Sequence, residues 1–224
     1  MDLPQACLFD LDGVLLDTEH LHGQAWFQTA QILGAKLSDK QLITLKGRRR
    51  FDCAIQITKW IEKTISVSDL LEIHKPISKK LMENVEAMSG AENLIKWCFE
   101  NKFQMALVTS STSSSVALKS KSHLWLKLIK TRVYGDDILL KKGKPSPDPF
   151  LLAASKLMVN PKRCWALEDS ISGTKSALEA GCQVWVLDRN SNESALKDIE
   201  KSLSNPFRVN HLNEILKLLK RHKV

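Results

Sequence analysis

Five short apolar runs constrain this chain more than anything else in it: 6–11 (ACLFDL), 103–109 (FQMALVT), 131–135 (TRVYG), 163–169 (RCWALED) and 183–188 (QVWVLD). They are too short for helices and rich in Val, Leu, Phe and Trp. Near-continuous apolar runs of this kind are how strands buried on both faces read. Segments with helical periodicity separate them, at 91–100, 149–158 and 171–180. Strand and helix in alternation predict an α/β fold, a parallel sheet covered on both faces in a Rossmann-like three-layer α/β/α core. Helix punctuation agrees. Ser170 is placed to cap a helix from Ile171, and Gly181 follows that helix's last turn. Pro147 and Pro149 stand at the start of another helix, where a missing N–H costs little.

Residues 18–87 break the alternation. They hold no convincing strand, and apolar periodicity at 20–33, 52–65 and 69–82 predicts a compact helical unit. The expected organisation is an α/β core of residues 1–17 and 88–224 carrying a helical cap of residues 18–87. The chain would cross between them near 16–18 and again near 87–90. Two adjacent crossings make a hinge, on which the insertion can open and close over a site.

Composition excludes several classes. The chain has 224 residues, 43% of them hydrophobic and 26% charged, as expected of a soluble globular protein with a sizeable core. It has no apolar run long enough to span a membrane. MDLPQ lacks a basic segment and leads straight into the first run, so no signal peptide is read there. Cysteines at 7, 53, 98, 164 and 182 are odd in number, lack CxxC spacing and lie in mainly apolar surroundings. Reduced, buried thiols in a cytoplasmic protein are expected, rather than disulfides or a zinc site. A net charge of +8 raises the question of nucleic acid. The excess, however, is lysine spread along predicted helices and the tail KLLKRHKV, with one Tyr in the whole chain and no aromatic residues interleaved. A solvated face is the expected reading, with no nucleic-acid or membrane partner, and the balance also suits an anionic substrate.

Ligands of open parallel sheets bind beyond the carboxyl ends of the strands. The first run ends in Asp10-Leu11-Asp12, the second in Thr109-Ser110-Ser111 and the fourth in Glu168-Asp169-Ser170; Gly143-Lys144-Pro145 lies between the third and fourth. Each taken singly has an ordinary reading, as a helix cap, a strand end or a surface lysine. Together, four acids on one edge repel each other and lose hydration, so a cation should offset them. The donors are all oxygen, with no His or Cys nearby. Mg²⁺ held by a few carboxylates and waters, with a phosphate completing the shell, fits that set.

In order and spacing these motifs resemble the haloacid dehalogenase superfamily, in its large phosphotransferase branch. DxDGV is present as Asp10-Leu11-Asp12-Gly13-Val14, the hydroxyl residue ending a strand as Thr109, the lysine motif as GKPSPD with Lys144, and the acidic motif as Glu168-Asp169-Ser170. A helical insertion just after the first motif resembles the small cap of the subgroup containing β-phosphoglucomutase and many sugar-phosphate phosphatases. The resemblance implies roles. Asp10 attacks phosphorus to form an aspartyl-phosphate. Asp12 protonates the leaving oxygen and then deprotonates the next acceptor. Asp10, the backbone carbonyl of Asp12 and Asp169 bind Mg²⁺, with Glu168 a ligand through water or a partner behind it. Lys144 neutralises the phosphoryl oxygens and Asp10, while Thr109 and the amide of Ser110 hold the remaining oxygens. A halide leaving group needs no acid, so Asp12 argues against dehalogenation.

The insertion extends the resemblance. Thr18 and His22 match positions that meet the acid/base and the hinge in β-phosphoglucomutase-like proteins. Residues 45–50, LKGRRR, are similar to the LKGxxR cap loop, which implies Gly47 among the substrate-binding residues and Arg50 gripping a non-reacting phosphate of the substrate. Arg48 and Arg49 are read as solvent-facing. The mutases' Ser-Lys-Asn stands here as Ser111-Thr112-Ser113, without lysine or amide. Asp17-Thr18-Glu19 has the phosphatases' DTE in place of the mutases' DTA, with Asp17 itself a turn or hinge residue. Lys75, Lys79 and Lys80 are the candidates for a further substrate lysine. The expectation is a Mg²⁺-dependent phosphatase, monomeric or weakly dimeric, acting on a small phosphorylated metabolite, a sugar phosphate foremost. The alternative is a hexose phosphomutase of the β-phosphoglucomutase kind, which differs only in the final acceptor.

Overall fold

The computed structural model describes residues 3–61, 64–188 and 206–221. One parallel sheet holds the strands β1 (Ala6–Phe9), β2 (Gln104–Val108), β3 (Thr131–Val133), β4 (Cys164–Glu168), β5 (Gln183–Leu187) and β6 (Phe207–Val209), in the order β3-β2-β1-β4-β5-β6. Each of the five predicted runs supplies one strand. The sixth was not predicted: it is three residues long at the sheet edge, with only Val209 buried. The strand order reverses at β1, which pairs with β2 on one side and β4 on the other. Such a reversal opens a crevice at the carboxyl ends of the strands.

Period-two alternation gives the sheet two apolar faces. Cys7, Phe9, Leu107, Trp165, Leu167 and Trp185 face one cluster, which α5 (Ala91–Glu100) and α9 (Leu212–Arg221) cover with Leu94, Ile95, Ile215 and Leu219. Leu8, Ala106, Val108, Ala166 and Val184 face the other, covered by α7 (Asp148–Leu157) with Phe150 and Ala154 and by α8 (Ile171–Glu179) with Ala177. Ser170 caps α8 as predicted, its hydroxyl accepting from the Gly173 amide at 3.0 Å. All five cysteines are buried and unpaired. Burial pushes the thiols of Cys53 and Cys182 up to about 12 and that of Cys164 up to about 11, which leaves them inert at neutral pH.

Between β1 and α5 lie α1 (Glu19–Ile32), α2 (Asp39–Leu45), α3 (Arg50–Trp60) and α4 (Val67–Leu81), packed on a core of their own around Trp26, Ala30, Ile57 and Leu70. The second predicted segment ends at Trp60, short of Ile65. Helix α2 was not foreseen, although Ser38-x-x-Gln41 marks its start. The Ser38 hydroxyl accepts from the Gln41 amide and the Gln41 side chain accepts from the Ser38 amide, a reciprocal cap. The two crossings lie side by side. The Asp17 amide donates to the Glu86 carbonyl at 2.9 Å and the Met88 amide to the Leu15 carbonyl at 3.0 Å. Among the described residues no helix is long and apolar enough to cross a membrane.

Candidate active site

Strand β1 stops at Phe9, so Asp10 leaves the sheet at its carboxyl edge, beside the ends of β2 and β4. There the Lys144 ammonium donates to Asp10 Oδ1 and Glu168 Oε1, each at 2.5 Å, and to the Val108 carbonyl at 2.9 Å. All three of its protons are thereby used. Burial works against the Lys144 charge, but Asp10 and Glu168 overcome it and raise the pKa. Burial, joined by Glu168 and Asp12, also lifts Asp10 well above the usual carboxylate range despite Lys144. Asp169 is lifted in the same way by burial and by Glu19, Asp10 and Glu168.

Ligand oxygens of Asp10, Glu168 and Asp169 lie within 4.8 Å of one another. Two glycines make room for them. A Cβ on Gly173, in the first turn of α8, would lie 2.0 Å from the Glu168 carboxyl carbon. A Cβ on Gly13, whose φ is +85°, would lie 2.0 Å from Asp169 Oδ2. Glu19 pairs with Lys46 at 3.3 Å on the near side of the group. Four carboxylates thus face two lysines, Lys144 and Lys46, leaving two negative charges in a buried patch. An oxygen-only donor set with that deficit fits a hard divalent cation.

Asp12, two residues on, has different company. Thr18 Oγ1 donates to its Oδ1 at 2.6 Å and His22 Nε2 lies 3.2 Å from the same oxygen, while Ser111 Oγ donates to Oδ2 at 2.7 Å. The ammonium of Lys119 also donates to Oδ1, and to Ser111 Oγ at 2.9 Å. Burial opposes the charge on Asp12, but Lys119 and His22 prevail and hold it well below the usual range. Neighbouring carboxylates pushed in opposite directions are the pattern of divided acid and base roles.

Sequence reasoning missed Lys119. It sits at the end of α6 (Ser113–Lys119), fully buried in its side chain, and bonds Ser111, in the stretch 111–113 that itself lacks a lysine. Its phase on the helix was the available signal, since Ser115 and Val116, one turn earlier, are buried on the same face.

The helical insertion closes over this edge and leaves a pocket of about 410 Å³ between the two. Asp10, Asp12, Ser110 and Ser111 line it from below, and His22, Gly47 and Arg50 from above. Thr18, Thr109, Lys144, Glu168 and Asp169 are not among the residues that line it. The Thr109 amide donates to the Val133 carbonyl, and its hydroxyl accepts from the Ser111 amide at 3.1 Å. Ser110 Oγ donates to the Gly47 carbonyl at 2.8 Å, joining the two lobes. Gly47 has φ +70°, and a Cβ there would lie 2.1 Å from Ser170 Oγ.

Among the described residues Arg50 makes no hydrogen bond or ion pair; burial lowers its pKa, against the pull of Asp12. Two expectations are corrected. Arg48 and Arg49 do not face solvent. Arg48 is half-buried on the pocket wall with an unpartnered Nε, while Arg49 bonds Asp52 at 2.9 Å and packs against Gly143. Lys75, Lys79 and Lys80 are exposed on α4 and none lines the pocket. The loop that enters α3 turns its arginines inward, whereas the charged face of α4 turns out.

The chain is similar to known proteins over most of its length. The family model for haloacid dehalogenase-like hydrolases matches residues 7–187. The "Probable pseudouridine-5'-phosphatase" of Drosophila melanogaster is 34% identical over 182 residues, 80% of this chain and 79% of that one. A fructose-1-phosphate phosphatase of Escherichia coli is 30% identical over 175 residues, 78% of this chain and 91% of that one. Among solved structures, a β-phosphoglucomutase from Clostridium difficile superposes with a TM-score of 0.79 at 22% identity, over 99% of this chain and 98% of the other; at that identity the likeness speaks for the fold. By that family match and by its identity to curated relatives over most of its length, the chain belongs to the haloacid dehalogenase-like hydrolase family.

Proposed function

We propose that this protein is a Mg²⁺-dependent phosphatase that hydrolyses small phosphorylated metabolites through an aspartyl-phosphate on Asp10. The contrast between Asp10 and Asp12 carries the reading. Both line one pocket, yet one belongs to a patch short of positive charge and the other is held by four donors. The curated relatives described above carry phosphatase names, which supports a phosphoric monoester hydrolase.

Asp10 attacks phosphorus while the bond to the leaving alcohol breaks, and a proton brought in by the phosphate passes through Asp12 to the leaving oxygen. Asp12, a carboxylate again, then takes a proton from water as that water attacks phosphorus and frees Asp10. Bound Mg²⁺, held by Asp10, Asp169 and the Asp12 carbonyl with Glu168 behind them, would supply the positive charge that lets an anion attack an anion. Lys144 fixes the aim of Asp10, while Thr109 and the Ser110 amide cradle phosphoryl oxygens. Residues 18–87 act as the cap, which opens on the paired crossings to admit substrate. Arg50, free of partners in the pocket, contacts the leaving group, and sugar phosphates and pseudouridine phosphate are the leading candidates.

A panel of these monoesters, followed by phosphorus NMR with Mg²⁺, tests the reading. Stoichiometric free phosphate is expected; an isomerised sugar phosphate formed without phosphate release would overturn it.

Removing divalent ions should abolish phosphate release, and should also invert the acid response of the fold. Asp10 and Asp169 titrate above their unfolded value of about 4. As pH falls from 7 toward about 5, the metal-free folded protein therefore binds protons that the unfolded chain does not, and it gains stability. Asp12, held low, withdraws its contribution only at still lower pH. The melting temperature of EDTA-treated protein should rise over that interval relative to protein with Mg²⁺. Parallel curves with and without the ion would count against metal at these carboxylates.

A further inference from the structure

His74, on α4, is fully buried, lines the pocket and has no part in the chemistry above. Its ring stacks on Trp26 of α1, with centroids 3.5 Å apart and planes 10° from parallel, so its orientation is fixed. Its Nδ1 lies 3.1 Å from Thr29 Oγ1. The hydroxyl of Thr29 has one proton, and that proton is committed to the Ala25 carbonyl at 2.7 Å. Keeping both contacts makes Thr29 the acceptor toward His74 and places the hydrogen on Nδ1. Burial, with Arg50 and His22 nearby, brings the imidazole pKa down to about 3, so the ring is neutral. Its Nε2 is then a bare lone pair, and this atom is buried without a hydrogen-bond partner. Buried acceptors of this kind normally have a donor.

The side chains around it supply none. Among the described residues Arg50 has no hydrogen-bond or ion-pair partner, and the Nε of Arg48 is also buried and unpaired. The cap side of the pocket therefore holds a buried, unpartnered acceptor beside unused donors. A second phosphate would meet the arginines but bring only lone pairs to His74. A neutral leaving group with an N–H or O–H next to carbonyl or hydroxyl oxygens satisfies both.

We propose that His74 is a specificity-determining residue whose Nε2 accepts a hydrogen bond from an N–H or O–H at the far end of the substrate's leaving group. The inference rests on the phosphatase reading above. A site built to pair a substrate donor rejects analogues that lack it, because its own polar group is left stranded.

Two substitutions separate this role from packing. His74→Asn places an amide nitrogen where Nδ1 stands and can keep the bond to Thr29, but it removes the far acceptor. His74→Gln carries an amide oxygen out to the position of Nε2. The probes are p-nitrophenyl phosphate, which has no far donor, fructose 1-phosphate, with O–H donors, and pseudouridine 5′-phosphate, with ring N–H donors, alongside its ring-N-methylated analogue. In His74→Asn, kcat/KM for at least one donor-bearing ester should fall roughly 10- to 100-fold further than for the aryl ester, mainly through KM, as loss of one buried hydrogen bond implies. His74→Gln should recover most of that difference. If the ring N–H is the donor, methylation should reproduce the loss in the unmodified enzyme; if a sugar O–H is, an ester with sugar hydroxyls should respond to His74→Asn while ring methylation leaves the unmodified enzyme unchanged. Equal falls on all the esters, or a Gln variant as impaired as the Asn variant, would overturn the assignment. Absence of phosphate release from every ester in the unmodified enzyme would instead sink the phosphatase reading, and this inference with it.

Discussion

Asp10→Asn should lower phosphate release by on the order of 10⁴-fold or more, because it removes the atom that bonds to phosphorus. The fold should survive. The amide oxygen can still accept from Lys144, and the substitution removes a carboxylate whose charge burial already disfavours. Without metal, the Asp10→Asn protein should melt at the same temperature as the parent or higher. A second readout isolates the covalent step. Acid-quenched enzyme incubated with labelled substrate should retain hydroxylamine-labile phosphate, and the Asp10→Asn protein should not. Turnover with normal Mg²⁺ dependence in that variant would sink the nucleophile assignment.

Lys144→Met should be nearly as damaging, and to stability as well. The lysine is wholly buried between two carboxylates, and its removal strands both. Breaking a buried ion pair from one side costs roughly 3–5 kcal/mol, a fall on the order of 10 °C in melting temperature for a chain of this length. Glu168→Gln in the same chain removes one stranded charge, so the double variant should regain much of the lost stability. It should regain no turnover, because Asp10 would still lack its positioning cation. Urea unfolding and phosphate release on the three proteins check both halves. A single variant that melts within about 1 °C of the parent would show that the ammonium is not the partner of these acids.

The sheet was legible because buried parallel strands leave little choice of residue, and each of the five runs ends where its strand does, within two residues. Strand β6 was not, because Phe207-Arg208-Val209 is short, partly polar and paired on one side only. The acids and Lys144 were legible from their places at strand ends, where the topology leaves an edge for ligands. Lys119 was not, because a lysine on a helix is ordinarily solvated and only its phase marked it as buried. His74 was hidden for a related reason. Within the periodicity of 69–82 it reads as one more core-facing position, and only the pairing of α1 with α4 shows that Trp26 and Thr29 fix its ring and its tautomer. Arg48 turned inward through the Gly47 turn, a backbone event that sequence spacing does not encode.

Asp12 is fixed to the sheet edge, yet its four donors come from both sides of the pocket. Thr18 and His22 arrive at the start of α1, while Ser111 and Lys119 belong to the segment after β2. Swinging α1 away would strip Asp12 of half its shell while leaving Lys119 to hold its charge. On the proposed mechanism this is an interlock: the group that hands protons to and from oxygen is correctly aimed only with the lid shut. An open enzyme would then carry a phosphorylated Asp10 with no aligned base to activate passing water, so the energy of that bond would not be discharged before the alcohol has left.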